Sequence, residues 1–132
     1  MIVADTSAWV ELLRGTGSTM HAAMHRLLTE GADLAVTEIV VAEVLAGERS
    51  DRQLAFARRQ LLGFPLLRLN GLHAFEHAAA IYRTCRMAGE TLRGLTDCLI
   101  SVPAMEAGAS VLHMDRDFDV IARHTELRIE PV

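Results

Sequence analysis

The sequence predicts an α/β protein, a three-layer α/β/α sandwich around a small parallel sheet of four to five strands. Short apolar segments alternate along the chain with longer segments whose apolar residues recur at helical spacing. This alternation is typical of parallel sheets, because each crossover helix packs against a face of the sheet. The 132 residues are 51% hydrophobic, which is enough to bury one core. Residues 1–132 are therefore expected to form a single domain.

The N-terminal half is expected to contain two strands and four helices. An apolar strand at residues 2–4 is followed by a helix that Thr6 or Ser7 can cap and that Gly15 can end. The remaining elements are predicted in this order: a helix near residues 18–30, a strand at 34–36, a helix at 37–46 and a helix at 50–62 that opens with the capping box of Ser50 and Gln53.

The C-terminal half is expected to contain three strands and three helices. They are predicted in this order: a strand at residues 66–69, a helix at 72–87, a helix at 97–106, a strand at 110–113, a helix at 118–123 and a strand at 127–129. Thr96 can cap the second of these helices. Pro103 lies inside the same helix and is expected to bend it or to remove one backbone hydrogen bond.

Four carboxylates at the edges of these elements are the main indication of function. Asp5 follows the first strand, Glu43 interrupts an apolar helix, Asp97 opens a later helix and Asp115 follows a late strand. In a parallel sheet, ligands gather outside the carboxyl ends of the strands. Two carboxylates about 4 Å apart repel each other by roughly 4 kcal/mol at an effective dielectric near 20, so a cluster requires protons or a divalent cation. Oxygen ligands favour Mg²⁺ or Mn²⁺.

Each acidic residue also has an ordinary explanation. Asp5, Asp97 and Asp115 could cap a helix or favour the positive end of its dipole. Glu43 could lie on the solvent face of its helix, although the apolar residues around it make an unpaired charge costly. Asp117 could be a first-turn acid. Four such coincidences at sheet ends are less probable than any one of them.

Composition excludes several classes of function. All 13 basic residues are arginine, which removes P-loop and Schiff-base mechanisms because both require lysine. The net charge of −4 gives no global attraction to nucleic acid, so any such binding must depend on local arginines and metal. The two cysteines are expected to be reduced and structural. No membrane span or signal peptide is evident, so a cytoplasmic location is expected.

Four segments of the sequence resemble the PIN-domain ribonucleases, specifically the VapC-type toxins. These segments are Asp-Thr-Ser at 5–7, Ala-Glu-Val-Leu-Ala-Gly at 42–47, Gly-Leu-Thr-Asp-Cys-Leu-Ile at 94–100 and His-Met-Asp-Arg-Asp-Phe-Asp at 113–119. They occur in the family's order, and the resemblance covers nearly the whole chain. The resemblance implies a Mg²⁺- or Mn²⁺-dependent endoribonuclease that hydrolyses RNA phosphodiester bonds. It also implies a homodimer, a cognate VapB antitoxin, and operator DNA bound only through the antitoxin.

The resemblance assigns roles to residues at the matching positions. Asp5 and Asp97 would be the main metal ligands, and Glu43 and Asp115 would complete the catalytic acidic ring, with Asp117 close to it. Further residues could support the site. Hydroxyl groups of Ser7 and Thr96 could orient a carboxylate or a bound water, and four arginines near the predicted edges of the site could hold RNA phosphates: Arg14, Arg49, Arg93 and Arg116.

Other functions remain open. His73, Glu76 and His77 match the H-x-x-E-H pattern of inverzincin peptidases, although no downstream carboxylate motif of that class is evident. A haloacid-dehalogenase-type phosphatase would need a second aspartate two residues after Asp5, where Ser7 stands. The alternative from a different class is a noncatalytic PIN-like module that binds RNA or protein.

Overall fold

All five strands belong to one parallel sheet in the computed structural model, which describes residues 1–132. The strands are β1 (Ile2–Ala4), β2 (Leu34–Thr37), β3 (Leu66–Leu67), β4 (Ser110–Leu112) and β5 (Arg128–Ile129). Their order across the sheet is β3, β2, β1, β4, β5, and every neighbouring pair is parallel. The prediction of a small parallel sheet is confirmed.

Seven helices form the outer layers. They are α1 (Thr6–Arg14), α2 (Thr19–Thr29), α3 (Glu38–Ala46), α4 (Asp51–Leu61), α5 (Leu72–Met87), α6 (Thr96–Glu106) and α7 (Arg116–His124). Each crossover between parallel strands contains at least one helix, which confirms the predicted three-layer α/β/α arrangement. None of the seven combines the length and apolar character needed to cross a membrane.

The central strands form the most deeply buried part of the molecule. Val3, Val36 and Leu112 are fully buried and belong to one core cluster of 30 residues. Burial on both faces explains why these strands are mostly apolar rather than alternating. Cys85 and Cys98 are free and buried in the same cluster, as expected for structural thiols.

The position of the functional site follows from the topology. From β1 the chain continues to β2 on one side, whereas β4 later joins the other side of β1. At such a switch point the connections after neighbouring strands diverge to opposite faces and leave a crevice outside their carboxyl ends. The backbone N–H of Asp5, directly after β1, donates to the carbonyl oxygen of Leu112 at 3.0 Å. The crevice therefore begins where Asp5 and the segment after β4 meet.

Two caps differ from the predictions. Asp5, rather than Thr6 or Ser7, is the N-cap of α1, because the helix begins immediately after β1 and Asp5 is the last residue with extended backbone. Thr96 is the first helical residue of α6 and not its cap. Leu95 holds the cap position with φ −86° and ψ −15°, a nearly helical conformation without the extended geometry that a capping side chain requires.

Element boundaries differ by a few residues elsewhere. β3 ends at Leu67 because the N–H of Leu69 donates to Glu38 Oε1 at 2.7 Å instead of continuing the sheet. α7 begins at Arg116, two residues before the predicted start, because Asp115 caps it. α6 continues through Pro103 as one uninterrupted helix, with that proline buried.

Candidate acidic active site

The acidic residues converge because each stands where a helix begins beside a strand end. Asp5 caps α1 directly after β1, and Asp115 caps α7 shortly after β4. Asp97 and Asp117 lie in the first turns of α6 and α7. The positive ends of these helix dipoles favour negative charge at all four positions. The aspartates that begin these helices, as caps or in the first turn, are thus also the residues that gather at this edge of the sheet.

Three of the aspartates form a close cluster. Asp97, Asp115 and Asp117 each place a carboxylate oxygen within 4.8 Å of the others. They line an open hollow of about 300 Å³ together with Glu43 and Thr96, and no hydrophobic residue contributes to its wall. We call this feature the acidic hollow; its remaining lining residues are Arg93 and Gly94. A wall of oxygen ligands is the chemical environment that hard divalent cations prefer.

Asp5 belongs neither to the close cluster nor to the lining of the hollow. Its side chain is buried, and its Oδ1 accepts hydrogen bonds from the backbone N–H of Ser7 at 2.5 Å and from Ser7 Oγ at 2.7 Å. Ser7 Oγ also accepts from the N–H of Met114 at 3.1 Å, which ties the residues after β1 to those after β4. Burial raises the pKa of Asp5 despite the two donors from Ser7.

Electrostatic repulsion is strongest at Asp97. Burial, followed by the negative charges of Asp115, Asp5, Asp117 and Glu43, raises the pKa of Asp97 from its ordinary 3.8 to about 7. Although Asp5 is outside the close cluster, its charge therefore acts on Asp97. With a pKa of about 7, the Asp97 carboxyl group is still about half protonated at neutral pH unless a cation compensates the charge.

Asp117 provides a second sign that the cluster suits a cation. This aspartate is buried, and its Oδ2 accepts a hydrogen bond from the backbone N–H of Arg93 at 2.9 Å. Its Oδ1 is buried without any hydrogen-bond partner, and Arg116 Nε is 3.9 Å away from it. A buried carboxylate oxygen without a donor is costly. Coordination of a metal would remove that cost, so the residues present fit a divalent ion.

Arg93 provides the cation closest to the hollow. Its guanidinium group forms a salt bridge and hydrogen bond with Asp115, and its Nε is 3.7 Å from Asp117 Oδ2. The bond to Asp115, with the charges of Asp115 and Asp117, raises the pKa of Arg93. The side chain of Arg93 is nevertheless 68% exposed. It can therefore exchange its carboxylate partner for another anion without a large rearrangement.

Glu43 completes the rim of the hollow from α3. It is exposed, as expected for a glutamate on a solvent face, and its Oε1 accepts a hydrogen bond from Thr6 Oγ1 at 2.6 Å. Thr6 thus fixes the orientation of a carboxylate 37 residues away in the sequence. Thr96 also lines the hollow, and its hydroxyl is not engaged in capping α6.

His113 is a residue of this region that the sequence reasoning missed. Its Nδ1 accepts a hydrogen bond from the N–H of Asp115 at 3.0 Å, and its Nε2 is 3.2 Å from Asp119 Oδ1. The ring packs against Phe118 with centroids 5.0 Å apart. His113 therefore shapes the turn that carries Asp115. Its position in the sequence, between β4 and Asp115, could have indicated that it lies at the site.

The other predicted residues lie outside the hollow. Arg116 is exposed at its edge, next to Asp117, whereas Arg14 and Arg49 line a separate groove. The residues of the peptidase pattern are exposed on α5 and belong to no group of three clustered ligand atoms: His73, Glu76 and His77.

Comparison with known proteins identifies the family. The family model for the PIN domain matches residues 2–124. A VapC ribonuclease of Mycobacterium bovis and the ribonuclease VapC11 of Mycobacterium tuberculosis are each 45% identical over 129 residues, which cover 97% of this chain and 96% of theirs.

Solved structures share the fold at lower sequence identity. A chain of VapBC2 from Rickettsia felis, bound to a DNA fragment from its promoter, is 17% identical with a TM-score of 0.75, covering 98% of each chain. VapC20 of Mycobacterium tuberculosis, described as a toxin that cleaves the sarcin-ricin loop, is 17% identical with a TM-score of 0.69, covering 97% of this chain and 99% of its own. The family match and the extent of identity together show that this chain belongs to the PIN-domain family, among the VapC ribonucleases.

Proposed function

We propose that this protein is a Mg²⁺- or Mn²⁺-dependent endoribonuclease toxin that hydrolyses phosphodiester bonds in RNA and is inhibited by a cognate VapB-type antitoxin. The observation that carries the proposal is the cluster of Asp97, Asp115 and Asp117, whose ligand atoms lie within 4.8 Å of one another. The raised pKa of Asp97 and the unpaired Oδ1 of Asp117 support a cation at this cluster. The curated relatives at 45% identity are ribonucleases.

The acidic residues would divide the work of holding the metal. Asp97, Asp115 and Asp117 would supply the closest ligands, with Glu43 at the rim of the hollow, and the charge of Asp5 would act on Asp97. One or two hard divalent cations would supply Lewis acidity and neutralise charge on the phosphate. Two donors from Ser7 occupy Asp5 Oδ1, so the other oxygen of that carboxylate is the one left to act toward the cluster.

Residues around the metal ligands would position the substrate. Thr6 donates to Glu43 and keeps that carboxylate in one orientation. Arg93 lies at the hollow with most of its side chain exposed, so its guanidinium group could bind a nonbridging phosphate oxygen. The hollow is open to solvent and has polar walls, which admits a phosphodiester together with an attacking water molecule.

The similar structures support the proposed antitoxin partner. The similar structures include VapBC complexes from Rickettsia felis and Salmonella typhimurium that are bound to DNA. We propose that this chain likewise binds a VapB-type antitoxin, that it contacts operator DNA only through that antitoxin, and that residues 1–132 act as one domain in a cytoplasmic homodimer.

A cleavage assay tests the proposal. Purified, antitoxin-free protein is incubated with a pool of structured RNAs in Mg²⁺, in Mn²⁺ and in EDTA, and Asp97→Asn is assayed in parallel. Discrete fragments that require both metal and Asp97 are the expected result. Absence of cleavage under every condition, with the protein folded, would contradict the proposal and would favour a noncatalytic binding module.

A further inference from the structure

A second and larger groove lies beside α4. Its volume is about 900 Å³, and it is formed by the end of α1, the turn between α3 and α4, and α4 itself. Four of its eleven lining residues are arginines, and one is a carboxylate, Glu48. We call it the arginine groove; its arginines are Arg14, Arg49, Arg52 and Arg59.

The guanidinium groups of the arginine groove make no polar contacts that stabilise the fold. None of its four arginines forms a salt bridge, and none donates a side-chain hydrogen bond within the protein. The chain carries a net charge of −4, so this concentration of positive charge runs against its overall balance. The groove therefore suits an anionic ligand.

Two of these arginines stand where helix stability would favour the opposite charge. Arg52 lies in the first turn of α4, and Arg49 immediately precedes the cap residue Ser50. The N-terminal end of a helix dipole is positive, so cations there are mildly destabilising. Folding stability thus gives no reason for arginine at either position, whereas binding of an anion does.

The groove also offers an aromatic surface. Phe56 of α4 lines it and is 48% exposed, so its ring is accessible to a ligand in the groove. An exposed aromatic ring among arginines is the combination that binds single-stranded nucleic acid, because the ring stacks on a base while guanidinium groups contact phosphates. A simple inorganic anion could not stack on the Phe56 ring.

The arginine groove lies a short distance from the acidic hollow, along the same pair of helices. α1 and α3 contact each other, and the hydrogen bond from Thr6 to Glu43 marks the hollow end of this helix pair. At 1.5 Å per residue, Gly47 in the groove lies about 6 Å beyond Glu43 along α3, and Arg14 lies about 12 Å beyond Thr6 along α1. A strand cleaved in the hollow would reach the groove with its adjacent nucleotides.

We propose that the arginine groove binds the single-stranded segment of the RNA substrate next to the bond cleaved in the acidic hollow. Arg49 and Arg52 contact its phosphates, and Phe56 stacks on one of its bases. This inference rests on the proposed ribonuclease function, but it concerns binding and can be measured without cleavage.

Binding is measured by fluorescence anisotropy with a fluorescein-labelled, single-stranded RNA 12-mer of mixed sequence. The full-length Asp97→Asn protein is used in EDTA, so that no RNA is cut. Arg49→Gln combined with Arg52→Gln should weaken binding by about 10-fold or more and should lower the slope of log Kd against log salt by about 1.4. Phe56→Ala should weaken binding by about 5-fold or more.

A matched control is Arg83→Gln combined with Arg86→Gln, which removes two exposed arginines from α5. It removes the same charge outside the groove and should leave the Kd within about twofold, since net charge alone contributes little to local contacts. Thermal melts of all variants verify that they are folded. Equal Kd values for the groove pair and the α5 pair would overturn the proposal.

Competition distinguishes RNA from an acidic protein segment. A polyglutamate 12-mer should displace the labelled RNA at least 10-fold less effectively than an unlabelled RNA 12-mer, because it cannot stack on Phe56. Equal displacement, with no effect of Phe56→Ala, would overturn the proposal in favour of a peptide site. If wild-type protein cleaves RNA while the groove pair binds normally, the inference fails and the proposed function stands. If groove substitutions weaken binding but wild-type protein never cleaves, the proposed function fails instead.

Discussion

The acidic hollow and the arginine groove both concentrate charge of one sign, but they hold it in different ways. In the hollow, carboxylates are crowded and partly buried, and burial together with repulsion raises the pKa of Asp97 to about 7. In the groove, the arginines are exposed and unpaired. Crowded charges cost folding free energy until a cation arrives, whereas solvated charges cost little. The crowded carboxylates of the hollow therefore suit a metal ion, and the solvated arginines of the groove suit a polyanion.

The largest expected effect is loss of catalysis on altering the hollow. Asp117→Asn keeps the volume of the side chain but removes the charge of a proposed metal ligand, so RNA cleavage should fall by at least about 100-fold. Asp119→Asn is the matched control, because Asp119 lies in the same helical turn but is exposed and outside the cluster. Gel assays of fragment formation measure both. Comparable activity in Asp117→Asn and Asp119→Asn would remove the distinction on which the site assignment depends.

A smaller effect on activity is expected in the groove. The combined change Arg49→Gln and Arg52→Gln should raise KM for RNA by about 10-fold and leave kcat within about twofold, because the lost contacts hold the substrate equally before and during reaction. Steady-state cleavage of a defined RNA measures both constants. A fall in kcat with unchanged KM would place these arginines in the chemical step and contradict their assignment to binding.

The stability of the metal-free protein should respond to the raised pKa of Asp97. Between about pH 4 and pH 7 the folded state binds more protons than the unfolded state, so the contribution of Asp97 to stability falls as pH rises. Asp97→Asn should therefore increase the free energy of unfolding at pH 8 by about 1 to 3 kcal/mol, a value reduced from the full shift because the side chain is partly exposed.

Urea unfolding in EDTA at pH 5 and pH 8 measures this effect. The difference between Asp97→Asn and wild-type protein should be smaller at pH 5, where only part of this penalty has developed, than at pH 8, where it is nearly complete. A destabilised Asp97→Asn protein at pH 8 would mean that the carboxylate is compensated within the fold and does not require a cation.

The smallest expected effect concerns a carboxylate with the opposite shift. Hydrogen bonds from Arg123 and His124 lower the pKa of Glu90 from 4.5 to about 2. This pairing stabilises the fold fully above about pH 4.5, and its contribution is lost as pH falls toward 2. Glu90→Gln should therefore reduce stability slightly at pH 6 and differ less from wild type at pH 3.

Urea midpoints at the two pH values test this prediction, with cleavage at pH 7 expected to remain unchanged. A Glu90→Gln protein that gains stability at pH 6 would show that the charged form of Glu90 destabilises the fold, as that of Asp97 does. The contrast between paired and crowded carboxylates would then be lost.

Much of the fold and part of the site could be predicted because they depend on local patterns. The alternation of apolar segments indicated the parallel sheet, and strand ends placed Asp5 and Asp115 at one edge of it. The position of Asp97 at the start of a helix could also be predicted from the sequence. The topology of the sheet then brings the other acidic residues close to it. These features require only periodicity, turn residues and the geometry of parallel strands.

The remainder depends on contacts between distant segments. The backbone N–H of Arg93, 24 residues earlier in the sequence, donates a hydrogen bond to Asp117 and helps to hold it in the cluster. The cap prediction for Thr96 was wrong because the preceding Leu95 is already nearly helical. Arg52 was missed because its neighbours in the groove come from α1 and from the turn after α3, and sequence spacing does not reveal how those elements pack.

Direct measurement of Mn²⁺ binding tests the central claim, that the acidic hollow is a divalent metal site. Electron paramagnetic resonance of free Mn²⁺, titrated with antitoxin-free protein at pH 7.5, reports binding without any RNA. We predict saturable binding by the wild type and by Asp119→Asn, and loss of that binding in Asp117→Asn. Equal Mn²⁺ binding by all three proteins, or none by the wild type, would contradict the account.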